Sequence, residues 1–208
     1  MKNKSIFLIL VLSTSVVAMQ AQQAFNTKDD KITATTHIKT LNKGVLLVRL
    51  PSNRKKIEAL QKTLEQDLSE REFKNVSKTL NRTLDETEKL HTGIISAMES
   101  AYSFSSFAFF MDYDTREVLE GKSKLYQADM KAEFELDKTT AVYILSVGRT
   151  TETTIDAFLV MDSALNILPQ PFPSQISRSG FAGLFGNDTS HIKRLNKKLW
   201  RYFNSLTE

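Results

Sequence analysis

Apolar and polar positions follow several distinct periods along this chain, and each period predicts an element. Val45 to Leu50 is an almost wholly apolar run, the pattern of a strand covered on both faces. Pro51 stops its ladder, and Ser52 or Asn53 offers a side-chain oxygen to cap the helix that follows. Ile57, Leu60, Leu64 and Leu68 recur at three and four residues, which puts one apolar stripe on an otherwise charged helix. Ser69 and Glu72 have the spacing of a capping box, so a second helix starts there. It carries Phe73, Val76, Leu80 and Leu84 and continues through Leu90, Ile94 and Met98. Gly93 inside it costs about 1 kcal/mol relative to alanine and marks a bend or a close approach.

Strand patterns take over from Tyr102. "FAFFMDYD" at 107–114 is another buried run, and "MKAEFEL" at 130–136 alternates strictly, as a half-solvated strand does. "AVYILSV" at 141–147 and "TIDAFLVM" at 154–161 follow, and the "DSALN" turn leads to "ILPQPFP". Short polar connections of this kind favour antiparallel hairpins. Residues 22–43 are polar and lack sustained periodicity, so they read as a loose arm or one short edge strand. Residues 169–190 form an irregular stretch with Pro169, Pro171, Pro173, Gly180, Gly183 and Gly186, and a loop of that length in a compact domain is usually functional or disordered. At the end, Ile192, Leu195, Leu199, Phe203 and Leu206 make an apolar stripe on a last helix that Thr189 or Ser190 can cap. Together these patterns predict an α+β fold. It has a mixed sheet of about five or six strands, a two-helix crossover after the first strand, an antiparallel meander and a C-terminal amphipathic helix.

The first 21 residues change the picture of where this fold operates. Lys2 and Lys4 precede seven apolar residues, Ile6 to Leu12, and small or polar residues run up to Ala21. Those are the three regions of a secretory signal peptide, with cleavage expected after Ala21 and a periplasmic or secreted destination. Removing that leader from 208 residues leaves 187, a length that suits one domain, here 44–208 behind the arm at 22–43. Charge excludes little: the net +4 falls once Lys2 and Lys4 are gone, leaving 26 basic against 24 acidic residues. Any electrostatic argument is therefore local. The chain has no cysteine, so no disulfide supports it.

"GVLLVRL", the aromatic-rich "FAFFMDY" and "LPQPFP" ahead of "LNKKLWRYF" resemble a family of exported bacterial proteins of unknown function. The resemblance implies export and the order of strands, and it implies no activity.

Candidate chemistry concentrates at a few places. The macrodipole disfavours cations at the positive end of a helix unless solvent screens them or an anion binds there, yet Arg54, Lys55 and Lys56 occupy that position. If the strand at 45–50 and "FAFFMD" lie side by side, their helical crossover makes them parallel. Arg49, Arg54, Lys55, Lys56, Asp112 and Asp114 would then meet outside the carboxyl ends of the strands, where ligands gather in open α/β sheets. The competing reading is an ion pair between Arg49 and an aspartate, with the three cations in water. "FFMDYDT" is also similar to the Asp-x-Asp-x-Thr/Val signature of haloacid-dehalogenase-like phosphatases, which would make Asp112 the nucleophile and Asp114 the acid/base. Arg116 stands where that signature has Thr or Val, and the position midway along the chain leaves little length for the remaining motifs.

Two further surfaces are candidates for binding. Phe181, Leu184 and Phe185 sit in the glycine-flanked "GFAGLFG", a tip able to insert into a partner, a lipid headgroup layer or a small-ligand pocket. Lys193, Arg194, Lys197, Lys198 and Arg201 face away from the apolar stripe of the last helix, as on helices that touch an anionic membrane peripherally or bind acidic polymers. That patch has no recognisable nucleic-acid module. His37, His91 and His191 lack metal-ligand spacing, and no phosphate-cradling or dinucleotide fingerprint occurs, so neither metal nor cofactor is expected. The leading expectation is a non-catalytic envelope protein that binds a protein partner or an anionic ligand. The alternative is a hydrolase with an anionic-substrate site at the Arg49, Asp112 and Asp114 end of the sheet.

Overall fold

The computed structural model describes residues 27–137, 139–150, 154–178 and 188–206. The expected leader at 1–21 and the tip holding Phe181, Leu184 and Phe185 lie outside the described residues. The fold is α+β, with helices α1 (Lys28–Lys43), α2 (Arg54–Leu64), α3 (Glu70–Ala101), α4 (Thr115–Leu119) and α5 (Asp188–Asn204). The strands are β1 (Val45–Leu50), β2 (Ser106–Met111), β3 (Val142–Arg149), β4 (Asp156–Met161) and β5 (Gln175–Ser177). They form one mixed sheet in the order β2-β1-β3-β4-β5. β1 is parallel to both β2 and β3, while β4 runs antiparallel to β3 and β5. The α2–α3 crossover is what makes β1 and β2 parallel, because a chain returning through helices re-enters the sheet in the same direction.

Alternation along β1 divides the core in two. Leu46, Val48 and Leu50 belong to the larger cluster, which takes Ala34, Ile38 and Leu41 from α1, Ile94 and Met98 from α3, and Ile192, Leu195 and Leu199 from α5. Val45 and Leu47 face the other way, against Ala108, Phe110, Val118 and Leu125, with Phe134 and Leu136 packed alongside.

Three elements differ from the sequence expectation. Residues 28–43 are not a loose arm or edge strand but helix α1, started by a capping box in which Thr27 and Asp30 exchange hydrogen bonds. Its buried stripe is only Ala34, Ile38 and Leu41, and Ile32, 57% exposed, falls off that stripe and blurs the period. The segment 130–136 pairs with no strand beyond an isolated bridge between Tyr126 and Glu133. Met130 sits in the left-handed region at φ 55°, and the Asp129 carboxylate accepts from the amides of Lys131 and Ala132, which turns the chain there. Its alternation still reports which side chains face inward, since Ala132, Phe134 and Leu136 are half-buried and their neighbours exposed. The fifth strand lies at Gln175–Ser177, inside the stretch expected to be irregular.

The helix at 70–101 also departs from its stripe. Phe73 is 52% exposed and Leu84 is 43% exposed, and α2 buries no residue fully. The N-terminal half of α3 therefore stands off the sheet and shares its apolar side with α2. The C-terminal half docks on the sheet, where a Cβ on Gly93 would come within 3.0 Å of the Asp188 carboxylate. Gly93 thus marks a close approach to α5.

Candidate functional site

The carboxyl ends of β1 and β2 open into a cavity of about 670 Å³ lined by Arg49, Arg54, Lys55, Lys56, Glu58 and Asp112, together with Ser52, Asn53 and Tyr113. Arg49 lies opposite Phe110 in the parallel register and has the parity of Val45 and Leu47, so it points to the second face of the sheet. Asp112 follows two residues after Phe110, at the start of a 3-10 turn, Asp112–Asp114. Thr115 fastens that turn by donating its hydroxyl to the Asp112 carbonyl at 2.6 Å.

The wall facing these two residues is the β1–α2 turn. Asn53 adopts φ 53°, ψ 19°, a left-handed conformation that asparagine tolerates better than most residues. Its side chain makes no cap, contrary to one of the two alternatives read from the sequence, and instead donates to the Thr87 hydroxyl of α3 at 2.8 Å. Thr87 in turn donates to the Thr83 carbonyl at 2.7 Å. One helical turn further on, His91 Nε2 donates to the Pro51 carbonyl at 2.8 Å. Ser52 takes the capping role, its hydroxyl accepting from the Arg54 amide at 3.2 Å. The turn is therefore fastened to α3 on one side, and this fastening holds the first turn of α2 over the end of the sheet.

That first turn contains no acidic residue. Arg54 lies 2.7 Å from Glu58 and sits over the Tyr113 ring, 5.4 Å from its centroid. The Glu58 carboxylate is the main cause that holds the Arg54 guanidinium above the usual arginine range, with Tyr113 and Asp114 adding to it. Lys55 and Lys56 are exposed at the rim. The two groups beneath them are unusual. Arg49 Nε and Asp112 Oδ1 are the buried side-chain polar atoms with no hydrogen-bond partner among the described residues. The ion pair between Arg49 and an aspartate that the sequence allowed does not form. Native interiors leave few such atoms unpaired, because each forfeits its hydration.

Other candidates lie elsewhere. Asp114 does not line the cavity. Lys193, Arg194, Lys197, Lys198 and Arg201 are all exposed along α5, whose apolar stripe is taken up by the core, so this helix offers only its cationic side to a partner. Arg194 also donates to the Ser177 carbonyl at 2.7 Å, which ties the helix to β5. Each histidine has a structural contact: His37 with the Tyr143 hydroxyl at 2.9 Å, His91 with Pro51, and His191 with Arg194 at 3.2 Å. Among the described residues no group of three or more histidines and carboxylates is placed to hold a metal, and no helix is long and apolar enough to cross a membrane.

Sequence reasoning did not find Thr87, His91 and Tyr113. Thr87 and His91 carry no local signal, since their partners are 34 and 40 residues away. Tyr113 lies between the two aspartates of a quoted motif, but the cation it meets, Arg54, is 59 residues away, so it too carried no local signal. No protein-family model matches the chain, and neither a curated protein nor a solved structure matches it.

Proposed function

We propose that this chain is an exported, non-catalytic binding protein whose ligand is a small anion held at the carboxyl ends of β1 and β2. The observation that carries this reading is the pair of unpartnered buried atoms, Arg49 Nε and Asp112 Oδ1, at a cavity lined by four cations and two carboxylates. The excess of two positive charges favours a ligand of opposite sign. Arg54 already pairs with Glu58, so of the four cations in the lining Arg49, Lys55 and Lys56 are the ones with no ion pair among the described residues. Export rests on the leader pattern at 1–21. Binding is favoured over hydrolysis because acid/base chemistry by two carboxylates needs both free to act on the substrate: Asp114 does not line the cavity, and Glu58, which does, is paired with Arg54.

The test separates a ligand-binding arginine from a structural one. Arg49→Met removes the cation and keeps an unbranched apolar side chain. We expect titration calorimetry with inorganic phosphate at low salt to show at least a tenfold loss of affinity, with the melting temperature unchanged or raised, because a buried donor without a partner has been removed. A marked fall in melting temperature with undiminished phosphate binding would overturn the proposal. Cell fractionation with intact-mass measurement tests the export half, with a mature chain beginning at Gln22 as the expected result.

A further inference from the structure

Resting on that reading of the cavity, we infer that its ligand is an anion that carries its own hydrogen-bond donor, the chemistry shared by hydrogen phosphate and by phosphate monoesters of polyols. The reason is Asp112. A site built only to attract negative charge gains nothing from a carboxylate, which repels an anion. Here a carboxylate oxygen is nonetheless buried in the cavity lining with no protein donor to satisfy it. An ionised carboxylate is acceptor-only, while Arg49 in the same lining is donor-only. Arg49 and Asp112 therefore bring one unpartnered donor and one unpartnered acceptor to the lining of the same cavity. Sulfate offers only acceptors, so it would place an oxygen against the Asp112 carboxylate and leave that group unpaired. Hydrogen phosphate offers its P–OH, and a polyol phosphate offers a neighbouring hydroxyl. The surplus of two positive charges along the lining matches the charge of either dianion. Lys55 and Lys56 meet the phosphoryl oxygens from the rim, and the Tyr113 ring, half-exposed beside Arg54, gives a polyol carbon chain an apolar surface.

Four dianionic probes decide the matter at about pH 8, where phosphate and its esters are largely doubly charged. Sulfate and methyl phosphate carry no donor; hydrogen phosphate and glycerol phosphate do. Calorimetric titration of the mature protein should show both donor-bearing anions binding at least tenfold more tightly than sulfate and methyl phosphate, the scale of one charge-assisted hydrogen bond. Asp112→Asn can turn its amide to donate, so sulfate should gain affinity and the ratio of phosphate to sulfate should collapse towards one. Asp112→Ser, a smaller neutral group, should also reduce the ratio, and a thermal melt of each variant confirms folding. The preference of the wild-type protein stands as a test even if a variant does not fold.

Equal affinity for all four probes in the wild-type protein would overturn this inference while leaving the anion site intact. A preference that survives unchanged in both folded variants would remove Asp112 as its cause and also overturn it. Failure of every probe to bind would overturn this inference and the proposed function together.

Discussion

At Gly44 the backbone itself sets the limit. A Cβ added there would lie 2.5 Å from the Ala141 carbonyl oxygen and 3.0 Å from that of Thr40. Those oxygens belong to the backbone at the start of β3 and inside α1, and the Ala141 carbonyl also accepts from the Val45 amide at 3.0 Å. Neither can swing aside as a flexible side chain does. We expect Gly44→Ala to cost about 1–3 kcal/mol, a fall of several degrees in melting temperature by calorimetry, whereas an unchanged melt would contradict the close approach. Arg49 obeys the opposite logic at the same scale: its Nε is buried without a partner at the cavity, so on the proposed reading its replacement is expected to separate binding from stability. Tyr102 illustrates a satisfied buried polar group for contrast. Burial pushes its phenol well above the ordinary tyrosine range, and Ser105 lies within hydrogen-bond distance at 2.8 Å.

At the scale of elements, the α2–α3 pair is the least anchored part of the described structure. α3 has 32 residues, so it is roughly 48 Å long, and its sheet-docked half cannot cover its first turns. The start of α3 depends instead on the capping box. The Glu72 amide donates to the Ser69 hydroxyl, and the Glu72 carboxylate accepts from the Ser69 hydroxyl and amide, which holds that carboxyl below the usual glutamate range. Removing the cap with Ser69→Ala should cost about 1 kcal/mol. The effect belongs to one region: hydrogen exchange should quicken in residues 54–84 while residues 90–101 keep their protection. Uniformly faster exchange along α3 would show the two halves to be one cooperative unit. Because Asn53 and Pro51 are tied to Thr87 and His91, the fastening of the cavity wall lies on the border between these halves.

For the whole molecule, acid is the informative variable. Burial lowers the pKa of His37 below the ordinary 6.5, against a smaller opposing pull from Asp162. Burial also lowers that of His191, and the neighbouring Arg194 and Arg178 cations add to the effect against Asp188. The unfolded chain therefore takes up these protons first. Stability from both groups is fully present above about pH 6.5 and is lost as pH falls through their lower folded values. Asp30, Glu72, Asp129 and Asp137, each lowered by hydrogen bonds it accepts, contribute stability that is present above the ordinary carboxylate range and lost with the same sign only as pH falls below it. The melting temperature should begin to fall between pH 7 and pH 5, before the carboxylates titrate. The double substitution His37→Gln and His191→Gln should flatten that early limb, and a melt that rises on acidification would refute the assignment.

What the chain determined by itself was local. The capping box at Ser69, the stripe of α5, the buried runs of β1 to β4 and the helical crossover were legible because helix caps and periodicities depend on neighbours within about four residues. The crossover even implied that Arg49, Lys55, Lys56 and Asp112 would share one end of the sheet. Tertiary structure decided the rest. It made a helix of 28–43, whose three inward residues form a stripe only where a core receives them, and it left 130–136 without a ladder although its side chains alternate. It also decided that Asp112 enters the cavity and Asp114 does not, and that Asn53 leaves its cap for Thr87. Such outcomes depend on partners that the register of the sheet brings together from tens of residues away, and no short-range pattern encodes that distance.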